Sequence, residues 1–186
     1  MPEATSERPI LILSGTNRPN ASALRIANIV AELYAVASIR AEVLSLTELS
    51  PEVFLPASYA TKPPSMLALQ QRVLDAAGLH IITPEYNGSF PGALKYFIDL
   101  LKFPESFEAK PVAFIGEANG AWGALRAVEQ LQMVFAYRNA HLYPKRVFIS
   151  AVKEKFDAQG QLQPDLRSRI ADQCAGFAKF VGAVNT

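Results

Sequence analysis

Thr83-Pro84-Glu85-Tyr86-Asn87-Gly88-Ser89-Phe90-Pro91-Gly92-Ala93-Leu94-Lys95 is a polar loop set between a buried apolar run and an amphipathic helix. The run before it, Ala77-Gly78-Leu79-His80-Ile81-Ile82, has the length and continuity of an interior strand. After it, Leu94, Phe97, Ile98 and Leu101 recur at helical spacing behind Pro91, a residue suited to the start of a helix. A strand feeding a helix in this way is one unit of an open α/β sheet, and such sheets hold ligands outside the carboxyl ends of their strands. The loop reads as irregular backbone: Pro84 biases Thr83 toward an extended conformation, and Gly88 and Gly92 permit unusual φ or close backbone approach. Tyr86 adds a flat face beside the loop's own N–H groups. These residues suit a planar heterocycle, and they are equally the turn chemistry of an ordinary strand-to-helix connection.

The same unit recurs on either side. Ile10-Leu11-Ile12-Leu13 is a first strand, followed by a helix with Leu24, Ala27, Ala31 and Tyr34 near one face. Val43, Leu44 and Leu46 mark a second strand. A Pro-rich connection, Ser50 to Pro64, then leads to a helix from about Ser65 to Ala77 and forms a candidate rim or interface. Pro111 to Gly116 gives a fourth strand, with a helix expected from near Trp122 to Tyr137. Arg146 to Ile149 gives a fifth, Asp157 to Gly160 a turn, and Leu166, Ile170, Cys174, Phe177 and Val181 a last helix. Strands alternating with helices imply a parallel sheet covered on both faces. For five such units the leading topology is a flavodoxin-like three-layer α/β sandwich with strand order 2-1-3-4-5, in which the loops after Leu13 and Ile82 border one crevice.

The chain has 186 residues, enough for one well-buried domain, and a single domain over residues 1–186 is expected, with residues 1–9 as a disordered tail. Half of the residues are hydrophobic and the net charge is +1, so neither a basic footprint for nucleic acid nor an acidic face for a basic partner is present. Cys174 is the sole cysteine, which excludes an intramolecular disulfide and any site built on several thiolates, and fits a reducing cytoplasm. The polar start of the chain has no apolar signal core, and no later run has the length of a membrane span, so neither secretion nor membrane insertion is expected.

Behind the first strand lies Ser14-Gly15-Thr16-Asn17-Arg18-Pro19-Asn20-Ala21-Ser22, which supplies hydroxyls, a guanidinium and the free N–H groups of a helix start. That combination suits a phosphate, though Ser22 or Asn20 as a plain helix cap beside a solvated Arg18 explains it as well. The segment has neither the Walker Gly-Lys-Ser/Thr pattern nor G-x-G-x-x-G.

Taken together, three segments resemble the NADPH-dependent FMN reductase family, the flavodoxin-like group that includes quinone and chromate reductases. Gly15-Thr16-Asn17-Arg18 is similar to its phosphate loop, and Pro84 to Lys95 to its flavin-ring motif. Lys110 to Ala113 through Gly120, Gly123, Arg126 and Ala127 is similar to the strand, glycine-rich loop and helix that follow. The resemblance spans roughly Ile10 to Ser150 and implies FMN as cofactor with NADPH or NADH as donor. It assigns Thr16, Arg18 and the turn Asn20, Ser22, Ala23 and Leu24 to the phosphate. Pro84, Glu85, Tyr86 and Asn87 fall along the ring edge, and Ala118, Asn119 and Gly120 on the opposite side. The activity implied is transfer of electrons from the nicotinamide through the flavin to a quinone-like, azo or other small acceptor, with no catalytic side chain, in a homodimer or homotetramer. The alternatives are a flavodoxin-type electron carrier, against which the balanced charge argues, and a flavin-free binding or regulatory protein.

This chain departs from the family where Ala21, Ala118, Ala121 and Ala124 replace residues that are commonly serine, serine, basic and glycine, so weakened FMN binding is expected. Glu117 is a further oddity, since a carboxylate beside this loop would repel a nicotinamide's phosphates if it points into the cleft, though it can equally point to solvent. Cys174 reads as a packed hydrophobe, His80 and His141 as structural histidines at strand starts without metal-ligand spacing, and Glu85 as a salt-bridge partner.

Overall fold

The computed structural model describes residues 8–185. Its strands and helices are β1 (Ile10–Ser14), α1 (Ser22–Val36), β2 (Ala41–Ser45), α2 (Pro64–Asp75), β3 (Gly78–Pro84) and α3 (Gly92–Leu100), then β4 (Pro111–Glu117), α4 (Leu125–Tyr137), β5 (His141–Leu142), β6 (Val147–Ile149) and α5 (Pro164–Val184). The strands pair in parallel in the order β2-β1-β3-β4-β5, with β6 also on β4. This is the expected 2-1-3-4-5 topology with its fifth position divided. Alternation along each strand sends residues to opposite faces. Leu11, Leu13, Leu79, Ile81, Val112 and Phe114 pack beneath α2, α3 and α4, while Ile10, Ile12, Ile82, Ala113 and Ile115 pack beneath α1 and α5.

Several boundaries differ from the sequence reading for local reasons. The helix expected from Trp122 begins at Leu125, because Ala124 takes a left-handed φ of 69°. The connection from Ser50 to Pro64 is built of short 3-10 turns, two of them opened by Pro51 and Pro56. Pro91 stands just outside α3 as its N-cap. Of the expected disordered tail, residues 1–7 lie outside the described residues, whereas Arg8 and Pro9 are anchored. The Arg8 guanidinium donates to the carbonyls of Leu74, Asp75 and Ala76 at the end of α2, and Pro9 O accepts from Ala77 N at 2.8 Å. Lys110 Nζ donates to three carbonyls of the same helix end, so two cations close a terminus whose carbonyls have no helical partner.

His80 lies inside β3 rather than at its start, fully buried on the α1 and α5 face between Tyr34 and Phe177. Its neighbours fix its protonation. Gln173 Nε2 donates to Phe114 O and Lys145 O, each at 2.9 Å, which leaves Gln173 Oε1 to accept from His80 Nε2–H at 3.3 Å. His80 Nδ1 is therefore the acceptor for the Tyr34 hydroxyl at 2.9 Å. Gln173 also bridges the gap between β5 and β6, where Pro144 has no N–H to continue the ladder. Cys174 lies against Tyr34, and burial pushes its thiol up to about 12, so it packs as an inert small residue.

Burial lowers the His80 pKa to about 4. An unfolded chain takes up this proton near pH 6.5, so stability is complete above that value and is lost as pH falls toward 4. Between about pH 7 and pH 5 the wild type should lose about 2 kcal/mol more than a His80→Leu variant in urea unfolding. Equal slopes for the two proteins would remove His80 as the source.

Candidate functional site

The ends of β1, β3 and β4 define the site. The β1–α1 loop, the β3–α3 loop, the segment after β4 and the residues after β6 surround a cleft of about 620 Å³, within the range of small-molecule pockets. Of the residues expected at a ligand, Arg18, Asn20, Ser22, Pro84, Glu85, Tyr86, Asn87, Ala118, Asn119 and Gly120 line it together. Thr16, Ala23 and Leu24 do not. Thr16 is buried behind the wall, where its Oγ1 meets the Tyr86 hydroxyl at 3.0 Å and accepts from Arg18 N at 3.2 Å. Thr16 thus fixes two lining residues. Leu24 N turns back to Ala21 O at 3.1 Å.

The loop after β3 is more ordered than its composition suggests. Tyr86 and Ser89 exchange backbone hydrogen bonds of 2.8 and 3.1 Å across Asn87 and Gly88, whose φ values are 52° and 78°. Two left-handed central residues closing a two-residue bridge make a tight hairpin turn of the Asn-Gly type. Gln130 of α4 braces it, donating to Gly88 O at 3.3 Å and accepting from Ser89 Oγ at 2.5 Å. Glu85 N donates to Glu117 O at 3.2 Å, which ties the loop to β4. Glu85 faces Arg126 at 4.0 Å, while its Oε2 is buried without a partner.

The start of α1 is uncapped. Its N-cap is Ala21, with no side-chain hydrogen bond, so neither Ser22 nor Asn20 performs the capping role considered from sequence. The Ala23 N–H instead meets the carboxylate of Glu117, the last residue of β4. Burial pushes this carboxyl up to about 7 against the opposing pull of that N–H.

Glu117, Val152 and Lys153 line the cleft beyond the residues expected there. Glu117, an oddity in the sequence, lies in the wall of the cleft itself. Val152 and Lys153 complete the cleft beyond β6, with Val152 N on Ala118 O at 3.1 Å and Lys153 N on Asn119 Oδ1 at 3.4 Å. The available signal was position: a lysine just past a strand adjoining β4 falls on the sheet's carboxyl edge.

The lining suits a flat, phosphorylated ligand. Arg18 and Lys153 supply positive charge, the uncapped helix start supplies N–H donors, and the hairpin and the Ala118–Gly120 segment supply facing walls of backbone. Gly120 has an ordinary φ and nothing within 4 Å of an added Cβ, so the chain's own packing does not require glycine there. Gly88 also has open space but a φ of +78°. Gly88→Ala should therefore lower stability by about 1 kcal/mol, and Gly120→Ala should leave it unchanged in thermal unfolding. Equal destabilisation by both would contradict the backbone argument.

A sequence model of the family described as NADPH-dependent FMN reductase matches residues 9–154. An NAD(P)H-dependent FMN reductase from Pseudomonas aeruginosa is 34% identical over 114 residues, 60% of this chain and 62% of that protein. A quinone reductase from Escherichia coli K12 is 31% identical over 127 residues, 66% of this chain and 68% of its own length. A 2-hydroxy-1,4-benzoquinone reductase from a Burkholderia species is 34% identical, and the match spans 65% of its length; this match and the Pseudomonas one each cover less than two thirds of the relative. Among solved structures, the Paracoccus denitrificans flavoenzyme FerB, an NAD(P)H:(acceptor) oxidoreductase, superposes with a TM-score of 0.79 over 95% of this chain and 98% of its own, at 22% identity. That likeness shows the shared fold. With the family match covering both the phosphate-loop and ring-loop segments, the chain belongs to the NADPH-dependent FMN reductase family.

Proposed function

We propose that this protein is an FMN-dependent NAD(P)H oxidoreductase that delivers electrons to quinone-like or other small acceptors. The observation that carries the proposal is the meeting, in one cleft, of the Arg18 to Ser22 loop, the Pro84 to Asn87 hairpin and the Ala118 to Gly120 segment. The relatives named quinone reductase and FMN reductase support the reaction class. Bound FMN would supply the electron-transfer chemistry, which no side chain in the cleft can perform.

The chain's own residues bind and orient. Arg18 offsets phosphate charge, with Thr16 fixing the backbone of its loop, and Asn20 and Ser22 flank the phosphate position at the uncapped start of α1, whereas Leu24 spends its N–H on Ala21 O. Pro84, Glu85, Tyr86 and Asn87 present backbone to one edge of the ring, rigidified by the hairpin. Ala118, Asn119 and Gly120 form the other wall, and Asn119 is held by its contact with Lys153 N.

The assembly proposed is a homodimer or homotetramer. The groove between α3 and α4, lined by Ile98, Val134 and the exposed Met133 and Tyr137, supports it. A cytoplasmic location is proposed from the single buried thiol; among the described residues no helix is long and apolar enough to cross a membrane.

Purified protein loaded with FMN should bleach in the flavin band on anaerobic addition of NADPH or NADH and recover its colour on addition of benzoquinone. Flavin that stays oxidised with both donors would overturn the reductase reading. Arg18→Ala should weaken FMN binding about tenfold to a hundredfold by fluorescence titration, whereas Lys62→Ala, outside the cleft, should not. Equal affinities would remove Arg18 from the phosphate position.

A further inference from the structure

Glu117 is the most buried carboxylate lining the cleft, with 5% of its surface exposed. It is anchored by its backbone, since β4 pairs it with Pro84 on one side and Ile149 on the other. Its carboxylate lies near the Ala23 N–H in the first turn of α1, a helix that has neither a side-chain cap nor an acidic residue in its own first turn. An anion from another strand thus occupies a position that helix starts offer to phosphate. Glu117 forms no ion pair among the described residues. The charged groups facing this region are Arg18 before α1, Arg25 within it, Glu85 after β3, Arg126 on α4 and Lys153 after β6. Two of the cations are engaged elsewhere: Arg25 stacks over the Phe156 ring at 3.8 Å, and Arg126 faces Glu85.

We propose that Glu117 is a built-in competitor for the ligand's phosphate, so that the cleft accepts a phosphorylated flavin only as Glu117 takes up a proton. The proposal rests on the FMN reading above and adds a specificity determinant to it. In the free protein the ionised carboxylate stands beside the Ala23 N–H. When phosphate arrives, two anions would share one helix start, one of them a carboxylate largely withdrawn from water. Uptake of one solvent proton converts Glu117 to the neutral acid, which frees the N–H for the phosphate and can itself donate to a phosphate oxygen. The burial that raises the Glu117 pKa to about 7 makes this uptake accessible near neutral pH. A flavin without phosphate meets no such competition, so the balance between riboflavin and FMN follows pH.

The test measures FMN and riboflavin affinities of the wild type and Glu117→Gln by fluorescence quenching at several values from about pH 6 to about pH 9. FMN affinity of the wild type should fall relative to the variant by roughly a hundredfold over this interval, with the two proteins converging at the acid end. The ratio for riboflavin should stay flat. Titration calorimetry of the wild type in two buffers of different ionisation enthalpy should show uptake of about one proton per FMN at about pH 8 and none for riboflavin, a result that needs no variant. A pH dependence of FMN binding that persists unchanged in Glu117→Gln, or FMN binding without proton uptake at about pH 8, would overturn the gate and leave the FMN reading standing. Failure of both proteins to bind FMN at any pH would overturn the FMN reading itself, and the gate with it.

Discussion

β3 is the constraint on which the rest of the structure depends. All seven of its residues, Gly78 to Pro84, are buried, and it is hydrogen-bonded to parallel neighbours on both edges. A strand in that position has no free ladder group and no solvent-facing side, so it can present chemistry only where it ends. Its end is flanked by those of β1 and β4, and the three following loops are therefore forced into one space. Gly15 N bonds Ile82 O at 2.8 Å, and Glu85 N bonds Glu117 O at 3.2 Å, so the loops are stitched to one another before any ligand arrives. Such prior order reduces the entropy lost on binding.

A polar network crosses this largely apolar interior and serves the same architecture. His80, Tyr34 and Gln173 join β3, α1 and α5 through hydrogen bonds whose directions are mutually determined, and Gln173 satisfies Phe114 O where the fifth strand position breaks. Leaving any of these groups unpaired would cost about 1–3 kcal/mol. The arrangement holds α1 at a fixed height on the sheet, and with it the uncapped helix start that faces the cleft.

Much of the fold was legible because its signals are local. The apolar runs at Ile10, Leu79 and Val112 and the helical spacing of Leu166 to Val181 follow from burial alone, and the strand order follows from repeated strand-helix units. The Asn-Gly pair was visible, but its hairpin depends on a bridge between Tyr86 and Ser89 that composition alone does not reveal. The division of the fifth strand position at Pro144 and the delayed start of α4 after left-handed Ala124 are similar cases: each is a backbone event set by neighbouring strands. At the site, the lining loops were legible from their motifs. The contact from Glu117 to Ala23 was not, because it joins two elements 94 positions apart across the top of β3.

We propose that the carboxyl ends of β1, β3 and β4 together form the flavin site. Backbone amide chemical shifts of isotope-labelled protein titrated with FMN test it most directly. The account predicts that perturbations concentrate at residues 15–24, 84–89 and 117–120 as one saturable set, with 152–153 following. Perturbations confined to the groove between α3 and α4, or absent from any of the three strand ends, would contradict it.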